Sequence, residues 1–398
     1  MSSTINQQDT LLRVEHLCQY FGPTKAVDDV SFDIKRGEVF GLVGESGCGK
    51  TTTGRSIIKI YDITSGSIYF EGQRICAGTR SYVEAIKAAK AEMKTASPER
   101  KVELQSIIAE NKLQIHQAKY DHKHSDHQYV ETLVAQLNDE YEKNLSSAKT
   151  PEKISALKKK YREDLRIAKK TKLITKIQMI FQDPVASLNP RMTVKEIISE
   201  GLIINGIRDK DYLDQKVYEI LELVGLTREH AGRYPHEFSG GQKQRIGIAR
   251  SVIMHPDLLI ADEPVSALDV SIQAQVINLL NDLRAQLGLT ILFIAHDLSV
   301  VKYFSDRIGV MYFGKMVELA SSDELFAHPL HPYTKSLLSA IPLPDPISEK
   351  KRTRMRYDPL SAHDYSDADQ PTLREVSPGH FVHCNTAEFE AYRRELGL

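Results

Sequence analysis

A glycine-rich loop between a short apolar strand and a helix constrains the fold of this chain more than any other feature. Val39–Val43 is apolar on both faces and predicts a central parallel strand. The residues that follow, 44–51, match the pattern GxxxxGK[ST], and a helical pattern continues over 51–60. This order predicts an α/β sheet that binds phosphate groups at its carboxyl edge. An ordinary glycine turn is the alternative, and the flanking strand and helix argue against it.

Each residue type in this loop has a physical role in holding phosphate. Glycines let the backbone amides curl around the β- and γ-phosphates, and the start of a helix adds partial positive charge. Lys50 reaches phosphate oxygens, and the Thr51 hydroxyl is a candidate ligand for Mg²⁺. Cys48 is interpreted as a small residue that fits the loop, with a redox switch as the alternative. The predicted nucleotide-binding residues of the loop are Gly44, Glu45, Ser46, Gly47, Cys48, Gly49, Lys50, Thr51 and Thr52.

Two adjacent carboxylates end a second apolar strand far along the chain. The strand predicted over Leu258–Ala261 runs directly into Asp262 and Glu263, at the edge where an α/β sheet binds its ligand. Asp262 is predicted to hold Mg²⁺, and Glu263 to orient and deprotonate the attacking water. An acidic turn without function is the alternative, and the phosphate loop elsewhere in the chain makes it less favourable.

A second glycine turn precedes another helix. Ser239, Gly240, Gly241 and Gln242 come directly before an amphipathic pattern over 246–254, which gives the chain a second anion-binding geometry. With these residues the chain resembles the ATP-binding cassette (ABC) family, whose signature motif begins Ser-Gly-Gly-Gln and is supplied in trans. The resemblance implies that the four residues close over the nucleotide held by a second cassette.

The resemblance implies both a fold and further site residues. The implied fold is the P-loop NTPase fold of the ABC ATPase type, an α/β domain with a helical subdomain at 193–238. The implied cofactors are ATP and Mg²⁺. Phe21 resembles the aromatic residue that stacks on adenine, and Gln182 the glutamine that senses Mg²⁺. Asp269 resembles part of the loop that crosses the dimer interface, and His296 the histidine that contacts the γ-phosphate. The implied catalytic residues are Gln182, Glu263 and His296, and the implied metal ligands are Thr51, Gln182 and Asp262.

Two stretches narrow the resemblance to one branch of the family. Residues 182–193 and 328–334 are similar to the ATPases of oligopeptide and dipeptide importers, and 54–66 is closer to their F-type than to their D-type subunit. The branch implies four partner chains: a second, non-identical ATPase, two transmembrane permease subunits and, indirectly, an extracellular peptide-binding protein. It also implies a location at the cytoplasmic face of the cell membrane.

The composition agrees with such a subunit. The formal net charge of -1 gives no overall attraction to nucleic acid, so no nucleic-acid partner is expected. Residues 1–10 lack a signal-peptide pattern, and no apolar run approaches the ~20 residues of a membrane helix. The four cysteines are scattered, as is typical of a reducing compartment. Many members of the branch bind an iron–sulfur cluster through four C-terminal cysteines, and here only Cys384 lies in that region, so no cluster is expected.

The chain departs from the family at residues 79–175, which are rich in Lys, Glu and Ala and predict solvated helix. We predict a hairpin with its tip at 121–127, because that polar stretch lies midway between helix-start patterns at 97–99 and 150–152. Apolar spacings around 104–108 and 133–141 favour pairing of the two arms. The hairpin either docks a partner or limits the ATPase, or it is an extension without coupling. Its tip histidines are interpreted as solvated rather than metal-binding.

The domain boundaries follow from these patterns. An ABC ATP-binding domain is predicted at 10–78 and 176–320, an inserted helical hairpin at 79–175, and a C-terminal extension at 321–398. Within the extension, prolines at 342–346 predict a linker that leads into a polar tail.

Two other functional classes compete with the importer subunit. A soluble ABC ATPase could use a helical hairpin to act on a ribosome or on DNA, and the hairpin favours it. The single cassette and the importer-like stretches argue against it. A nucleotide-binding regulator without turnover would be expected to lack Glu263 or His296, and both are present.

Overall fold

Two β-sheets organise the chain. The computed structural model describes residues 9–147, 150–169, 171–266, 268–341, 354–363, 365 and 369–398. The strands are β1 (Thr10–Phe21), β2 (Thr24–Lys35), β3 (Val39–Val43), β4 (Ser65–Phe70), β5 (Gln73–Ala77), β6 (Ile177–Ile180), β7 (Leu258–Asp262), β8 (Thr290–Ala295), β9 (Arg307–Tyr312), β10 (Lys315–Ser321), β11 (Thr372–Ser377) and β12 (His380–Cys384). An antiparallel sheet has the order β2-β1-β4-β5, and a mixed sheet has the order β11-β12-β10-β9-β3-β8-β7-β6.

Helices connect and cover these sheets. They are α1 (Lys50–Ile57), α2 (Arg80–Glu92), α3 (Pro98–Ser147), α4 (Pro151–Ala168), α5 (Pro184–Ser187), α6 (Val194–Ile204), α7 (Lys210–Leu223), α8 (Gly240–Val252), α9 (Val270–Leu287), α10 (Leu298–Phe304), α11 (Ser322–Ala327), α12 (Pro332–Ser339), α13 (Pro359–Ala362) and α14 (Thr386–Glu395). No helix in the described ranges is long and apolar enough to cross a membrane.

The mixed sheet brings four strand ends to one edge. Strands β9, β3, β8, β7 and β6 run parallel to one another in that order. Every residue of β3, β7 and β8 is buried, as expected for strands covered on both faces. For β3 and β7 this confirms the prediction from their apolar runs. The loops after β3, β6, β7 and β8 therefore share the edge at which α/β proteins bind ligands.

The helical segment between β6 and β7 has its own capped start and apolar face. The Thr193 hydroxyl accepts a hydrogen bond from the Glu196 N–H, and the Glu196 carboxylate accepts one from the Thr193 N–H at 2.7 Å, which fixes the start of α6. Helix α7 buries Val217, Ile220 and Leu221, which recur every three to four residues and so lie on one face of the helix. These residues belong to the main hydrophobic core.

The segment 79–175 is largely helical over its described residues, as predicted, but the chain does not turn back where the hairpin prediction placed its tip. Residues 121–127 do not form a tip, because α3 continues without a break through them for 50 residues, about 75 Å at 1.5 Å per residue. Glycine and proline are the residues that most disfavour a helix, and α3 contains neither after Pro98. The polar residues at 121–127 therefore do not interrupt it. The two Ser/Thr-Pro-Glu patterns do mark helix starts, at Pro98 and Pro151.

Each end of α3 pairs with its own neighbouring helix instead. Near the start of α3, Arg100 donates from Nε to the Glu92 carboxylate of α2 at 2.9 Å. Near its end, the Tyr141 ring stacks on the Tyr161 ring of α4, with centroids 4.2 Å apart. The predicted pairing of 104–108 with 133–141 is therefore wrong, since both stretches lie on one helix. A partner for this segment, or a brake on catalysis, stays a prediction.

The middle of α3 is anchored on the antiparallel sheet. Arg74 of β5 donates from Nε to the Asp121 carboxylate at 2.7 Å, and the Asp126 carboxylate accepts the Leu173 N–H at 3.0 Å. Tyr129 is 6% exposed and joins the core cluster that also contains Ile177. Burial raises the pKa of the Tyr129 hydroxyl. The residues predicted to be a solvated tip are thus the attachment point of the segment.

Tyr129→Ala is expected to lower the free energy of unfolding by about 3 kcal/mol, because it empties a buried site next to β5. Tyr120→Ala on the same helix is the matched control, since Tyr120 is 45% exposed and its loss is expected to cost under about 0.5 kcal/mol. Urea unfolding of the full chain measures both values. Equal costs at the two positions would mean that α3 is not anchored through Tyr129.

The C-terminal extension is not a polar tail. Strands β11 and β12 form an antiparallel hairpin that joins the mixed sheet beside β10. The turn between them is Pro378-Gly379, with Gly379 at φ 78°. The predicted linker at 342–346 lies outside the described residues. The extension thus completes one edge of the sheet that carries the phosphate loop.

Candidate nucleotide-binding site

The phosphate loop depends on glycine because neighbouring backbone crowds it. Gly44, Gly47 and Gly49 have φ angles of 149°, 81° and 106°. A Cβ on Gly44 would lie 2.2 Å from the Met311 carbonyl oxygen, and one on Gly49 would lie 2.3 Å from the Ala26 carbonyl oxygen. The loop is therefore packed between the β9 end and the chain near β2, and α1 begins immediately after Gly49.

Gly49→Ala is expected to destabilise the chain more than Gly47→Ala. Both residues have a positive φ, which costs a non-glycine residue about 1–2 kcal/mol. At Gly47 an added Cβ meets nothing within 4 Å, whereas at Gly49 it also collides with the Ala26 carbonyl. Unfolding free energies without nucleotide measure the difference. If Gly49→Ala proved no more costly than Gly47→Ala, the crowding of the loop would be refuted.

Lys50 points back into the loop. Its Nζ donates to the carbonyl oxygens of Gly44 at 2.7 Å and Glu45 at 2.9 Å, and it is 4% exposed. The same Nζ lies 3.6 Å from Cys48 Sγ. Burial raises the pKa of the Cys48 thiol, and the Lys50 charge opposes this only partly. A raised thiol pKa favours the interpretation of Cys48 as a small packing residue over a redox switch.

Thr51 and Asp262 form the oxygen pair predicted to bind Mg²⁺. The Thr51 hydroxyl donates from Oγ1 to Asp262 Oδ1 at 2.7 Å, across 211 residues of sequence. Asp262 is fully buried, and its other oxygen, Oδ2, has no hydrogen-bond partner within the described part of the chain. Burial raises the pKa of the Asp262 carboxyl, against the effects of Thr51, Arg55 and Lys50. An unpartnered buried carboxylate oxygen beside a hydroxyl fits a hard divalent cation.

Glu263 joins two other loops of the site. The Gln182 side chain donates from Nε2 to Glu263 Oε2 at 3.0 Å, and His296 Nδ1 lies 3.3 Å from the same oxygen. The Glu263 side chain is 13% exposed and that of His296 is 55% exposed. The three predicted catalytic residues therefore meet at one carboxylate, at the ends of β6, β7 and β8. Gln182 is bonded to Glu263, and we find no hydrogen bond from it to the Thr51–Asp262 pair among the described residues.

The backbone of Glu263 is strained. Its φ is 45°, in the left-handed region that non-glycine residues rarely occupy. Its N–H donates to the Ile294 carbonyl of β8 at 2.9 Å, and its own carbonyl accepts the Ser266 hydroxyl at 3.1 Å. These bonds hold the side chain at the strand end and offset a cost of about 1–3 kcal/mol.

Phe21 ends β1 and is 45% exposed. The Tyr61 ring meets it edge to face, with centroids 5.1 Å apart, and the Tyr61 hydroxyl accepts a hydrogen bond from Arg55 at 3.4 Å. An exposed aromatic ring held on one side by a second ring can offer its face to a base. Tyr61 was not predicted from the sequence, where its only signal is its position just past the α1 pattern.

The signature residues lie at the start of α8 and are bonded to one another. Ser239 donates from its N–H to Gln242 Oε1 at 3.0 Å, and its hydroxyl accepts the Gln242 N–H, which forms a capping box. Across the described ranges, no hydrogen bond joins Ser239, Gly240, Gly241 or Gln242 to the phosphate loop. Asp269 is exposed at the start of α9, and its neighbour Val270 is 81% exposed. Within the described residues, the signature residues are thus not hydrogen-bonded to the phosphate loop of their own chain, and their role at a nucleotide stays a prediction.

One contact of the loop was missed by the sequence analysis. The Glu45 N–H donates to the Tyr333 hydroxyl of α12 at 3.0 Å. Tyr333 lies in the stretch 328–334, which was used only to identify a family branch. A buried tyrosine beside the His-Pro pair is the signal that could have found it.

Comparisons with known proteins agree with this geometry. The profile of the family described as ABC transporter matches residues 27–162 and 143–266, and the profile "Oligopeptide/dipeptide transporter, C-terminal region" matches 317–367. Two solved ABC cassettes share the fold. They are cbiO1 from Clostridium perfringens (TM-score 0.51, 23% identity, covering 80% of this chain and 91% of that chain) and MJ1267 in its ADP conformation (TM-score 0.51, 20% identity, covering 80% and 96%).

Curated relatives match nearly end to end. "Oligopeptide transport ATP-binding protein OppF" of Bacillus subtilis (strain 168) is 48% identical over 389 residues, which cover 96% of this chain and 99% of the relative. "Dipeptide transport ATP-binding protein DppF" of Lactococcus lactis subsp. cremoris is 44% identical over 380 residues, covering 95% and 93%. Neither name refers to a ribosome or to DNA. The family profile, the fold and these relatives together place the chain in the ABC transporter family, and it is an ATPase of that family.

Proposed function

We propose that this chain is the ATP-binding subunit of an importer for oligopeptides or dipeptides. The observation that carries the proposal is the meeting of Gln182, Glu263 and His296 beside the Thr51–Asp262 pair. This group of residues on a chain whose full-length relatives are named as peptide transport ATP-binding proteins supports an energy-supplying role. The match of 317–367 to the oligopeptide/dipeptide transporter region supports the peptide substrate class.

ATP binding in this proposal requires Lys50 to change partners. Its ammonium group now neutralises two loop carbonyl dipoles, and phosphate oxygens are stronger acceptors because they carry full charge. The loop amides from Gly44 to Thr52 and the start of α1 would hold the β- and γ-phosphates. The face of Phe21 would stack on the adenine.

Thr51 and Asp262 would hold Mg²⁺, with Gln182 as the third residue near the γ-phosphate. When bound, the ion neutralises charge on the phosphate oxygens during transfer. Such a ligand would satisfy Asp262 Oδ2, which is buried and has no hydrogen-bond partner among the described residues.

Glu263 would act as the general base. Water attacks the γ-phosphorus, the bond to the oxygen of the β-phosphate breaks, and the water proton passes to the Glu263 carboxylate. Gln182 and His296 both contact Oε2 of Glu263, so they would orient that carboxylate and the water next to it. The His296 side chain is 55% exposed and would contact the γ-phosphate.

A second cassette would complete the site. Ser239, Gly240, Gly241 and Gln242 of the partner would close over the nucleotide, and Asp269 would lie at the interface. The exposure of Asp269 and Val270 supports this arrangement. The other proposed partners are a non-identical ATPase as that second cassette, two permease subunits and, through them, an extracellular peptide-binding protein. The chain would then work at the cytoplasmic face of the cell membrane.

Affinity purification of the tagged chain from detergent-solubilised membranes of its host tests the proposal. We expect two polytopic membrane proteins and a second ATPase to co-purify, and peptide uptake to fail in cells that carry Glu263→Gln. Co-purification of ribosomes or DNA-bound proteins without membrane subunits would overturn the importer proposal.

A further inference from the structure

We infer that Tyr333 of the C-terminal extension is a positioning residue of the phosphate loop. Its hydroxyl oxygen accepts the Glu45 N–H at 3.0 Å, although the two residues are 288 positions apart. Tyr333 is 2% exposed, so water competes little for this bond. The inference rests on the proposed role of the loop in holding the phosphates of ATP.

The start of α12 is built to place Tyr333. His331 caps the helix, because its Nδ1 accepts the Tyr333 N–H at 3.1 Å. Burial lowers the pKa of His331 to about 3, so the imidazole is neutral and its nitrogen can accept. Pro332 occupies the first helical position, where its ring favours the helical φ and no N–H is needed.

The segment before α12 is fixed to the mixed sheet. The Glu318 carboxylate of β10 accepts the N–H of Leu330 at 2.8 Å and that of His331 at 3.1 Å. The same carboxylate lies 2.8 Å from Nε2 of His380 on β12, and both side chains are fully buried. The hydrogen bonds to the Glu318 carboxylate therefore fix the start of α12 relative to the mixed sheet and to the extension.

Aromatic packing fixes the Tyr333 ring. The Tyr312 ring of β9 lies 4.4 Å from it and the Tyr357 ring lies 5.5 Å from it, measured between centroids. Burial raises the pKa of the Tyr333 hydroxyl, which stays protonated and uncharged. A fixed, neutral oxygen is a suitable acceptor for a single backbone amide.

The bond has its effect when Lys50 leaves the loop carbonyls. Before ATP binds, Lys50 holds the carbonyls of Gly44 and Glu45, while Tyr333 holds the Glu45 amide from the other side. When phosphate takes Lys50, the Tyr333 bond still ties the loop to the sheet. Tyr333 therefore keeps the loop in its binding shape, which acts on ATP affinity rather than on the chemical step.

Tyr333→Phe in the full chain tests this role, because it removes the hydroxyl and keeps the ring. We expect the Kd for ATP to rise about tenfold and kcat to stay within about threefold. Tyr357→Phe is the matched control, since its hydroxyl lies 2.9 Å from His363 Nε2 in the same aromatic group and does not touch the loop. Its Kd is expected to stay within about twofold.

Hydrogen exchange gives a second readout that needs no nucleotide. The Glu45 amide is expected to exchange faster in Tyr333→Phe than in the parent chain and in Tyr357→Phe. An unchanged Kd with unchanged exchange, or an equal loss in both variants, would overturn the positioning role. If the parent chain bound no ATP, the proposed function would fail, while the exchange experiment would still decide whether Tyr333 holds the loop.

Discussion

Glu263→Gln is expected to reduce ATP hydrolysis by at least about 100-fold while leaving the Kd for ATP within about threefold. The amide has the size of the carboxylate but cannot take the proton of the attacking water. Gln182 and His296 both contact the Glu263 side chain, and neither residue belongs to the phosphate loop. The substitution therefore leaves the loop itself unchanged. Steady-state phosphate release measures the first quantity, and equilibrium binding of ATP measures the second.

Glu15→Gln is the matched control for this substitution. Glu15 is a carboxylate on β1 whose side chain is 41% exposed and pairs with Arg13. We expect it to hydrolyse ATP at the parent rate. Phosphate release by Glu263→Gln at more than a tenth of the parent rate would remove Glu263 from the role of general base.

Lys50→Met is expected to weaken ATP binding by at least about 100-fold. Methionine has similar bulk but no charge, so it cannot replace the bonds that Lys50 would transfer from the loop carbonyls to phosphate oxygens. The carbonyls of Gly44 and Glu45 also lose their donor. A loss of unfolding free energy of about 1–3 kcal/mol is expected as well, and thermal melting separates it from the loss of binding.

Lys59→Met is the control for lysine loss near the same helix. Lys59 lies two residues past α1. Like Lys50 it is at least partly buried, and this burial lowers the pKa of its ammonium group. No hydrogen bond among the described residues joins the Lys59 side chain to the phosphate loop. The ATP affinity of Lys59→Met should therefore match that of the parent chain. Equal losses at Lys50 and Lys59 would show that general loosening of α1, not phosphate binding, explains the effect.

Motifs predicted most of the candidate site because parallel strands end at a common edge. Thr51 and Asp262 could be paired from sequence, since each follows a strand whose apolar run is recognisable on its own. Gln182, Glu263 and His296 likewise follow β6, β7 and β8. Their mutual distances could not be predicted, because the left-handed backbone at Glu263 is set by bonds to Ile294 and Ser266 that no local pattern encodes.

The errors arose where tertiary contacts override local composition. The stretch 121–127 is polar enough to suggest a turn, yet Arg74, Leu173 and the core around Tyr129 hold it as the middle of a helix. The hairpin β11–β12 was missed because its strands are short and β11 contains the adjacent charged residues Arg374 and Glu375, although Pro378-Gly379 is a recognisable turn. Tyr333 could not be connected to Glu45 from sequence, since the contact depends on how α12 packs against the end of β9.

Helix α3 is attached to the rest of the protein near its centre. Its attachment at Asp121–Tyr129 leaves roughly equal lengths on either side, and it contains no glycine or internal proline at which to flex. A tilt of about 10° would move its two ends by about 6 Å in opposite directions, since each half is about 35 Å long. This attachment is made to β5 and to residue 173, which lies a few residues before β6 and Gln182. A displacement of either end would therefore act through this central attachment, beside the strand that leads into Gln182.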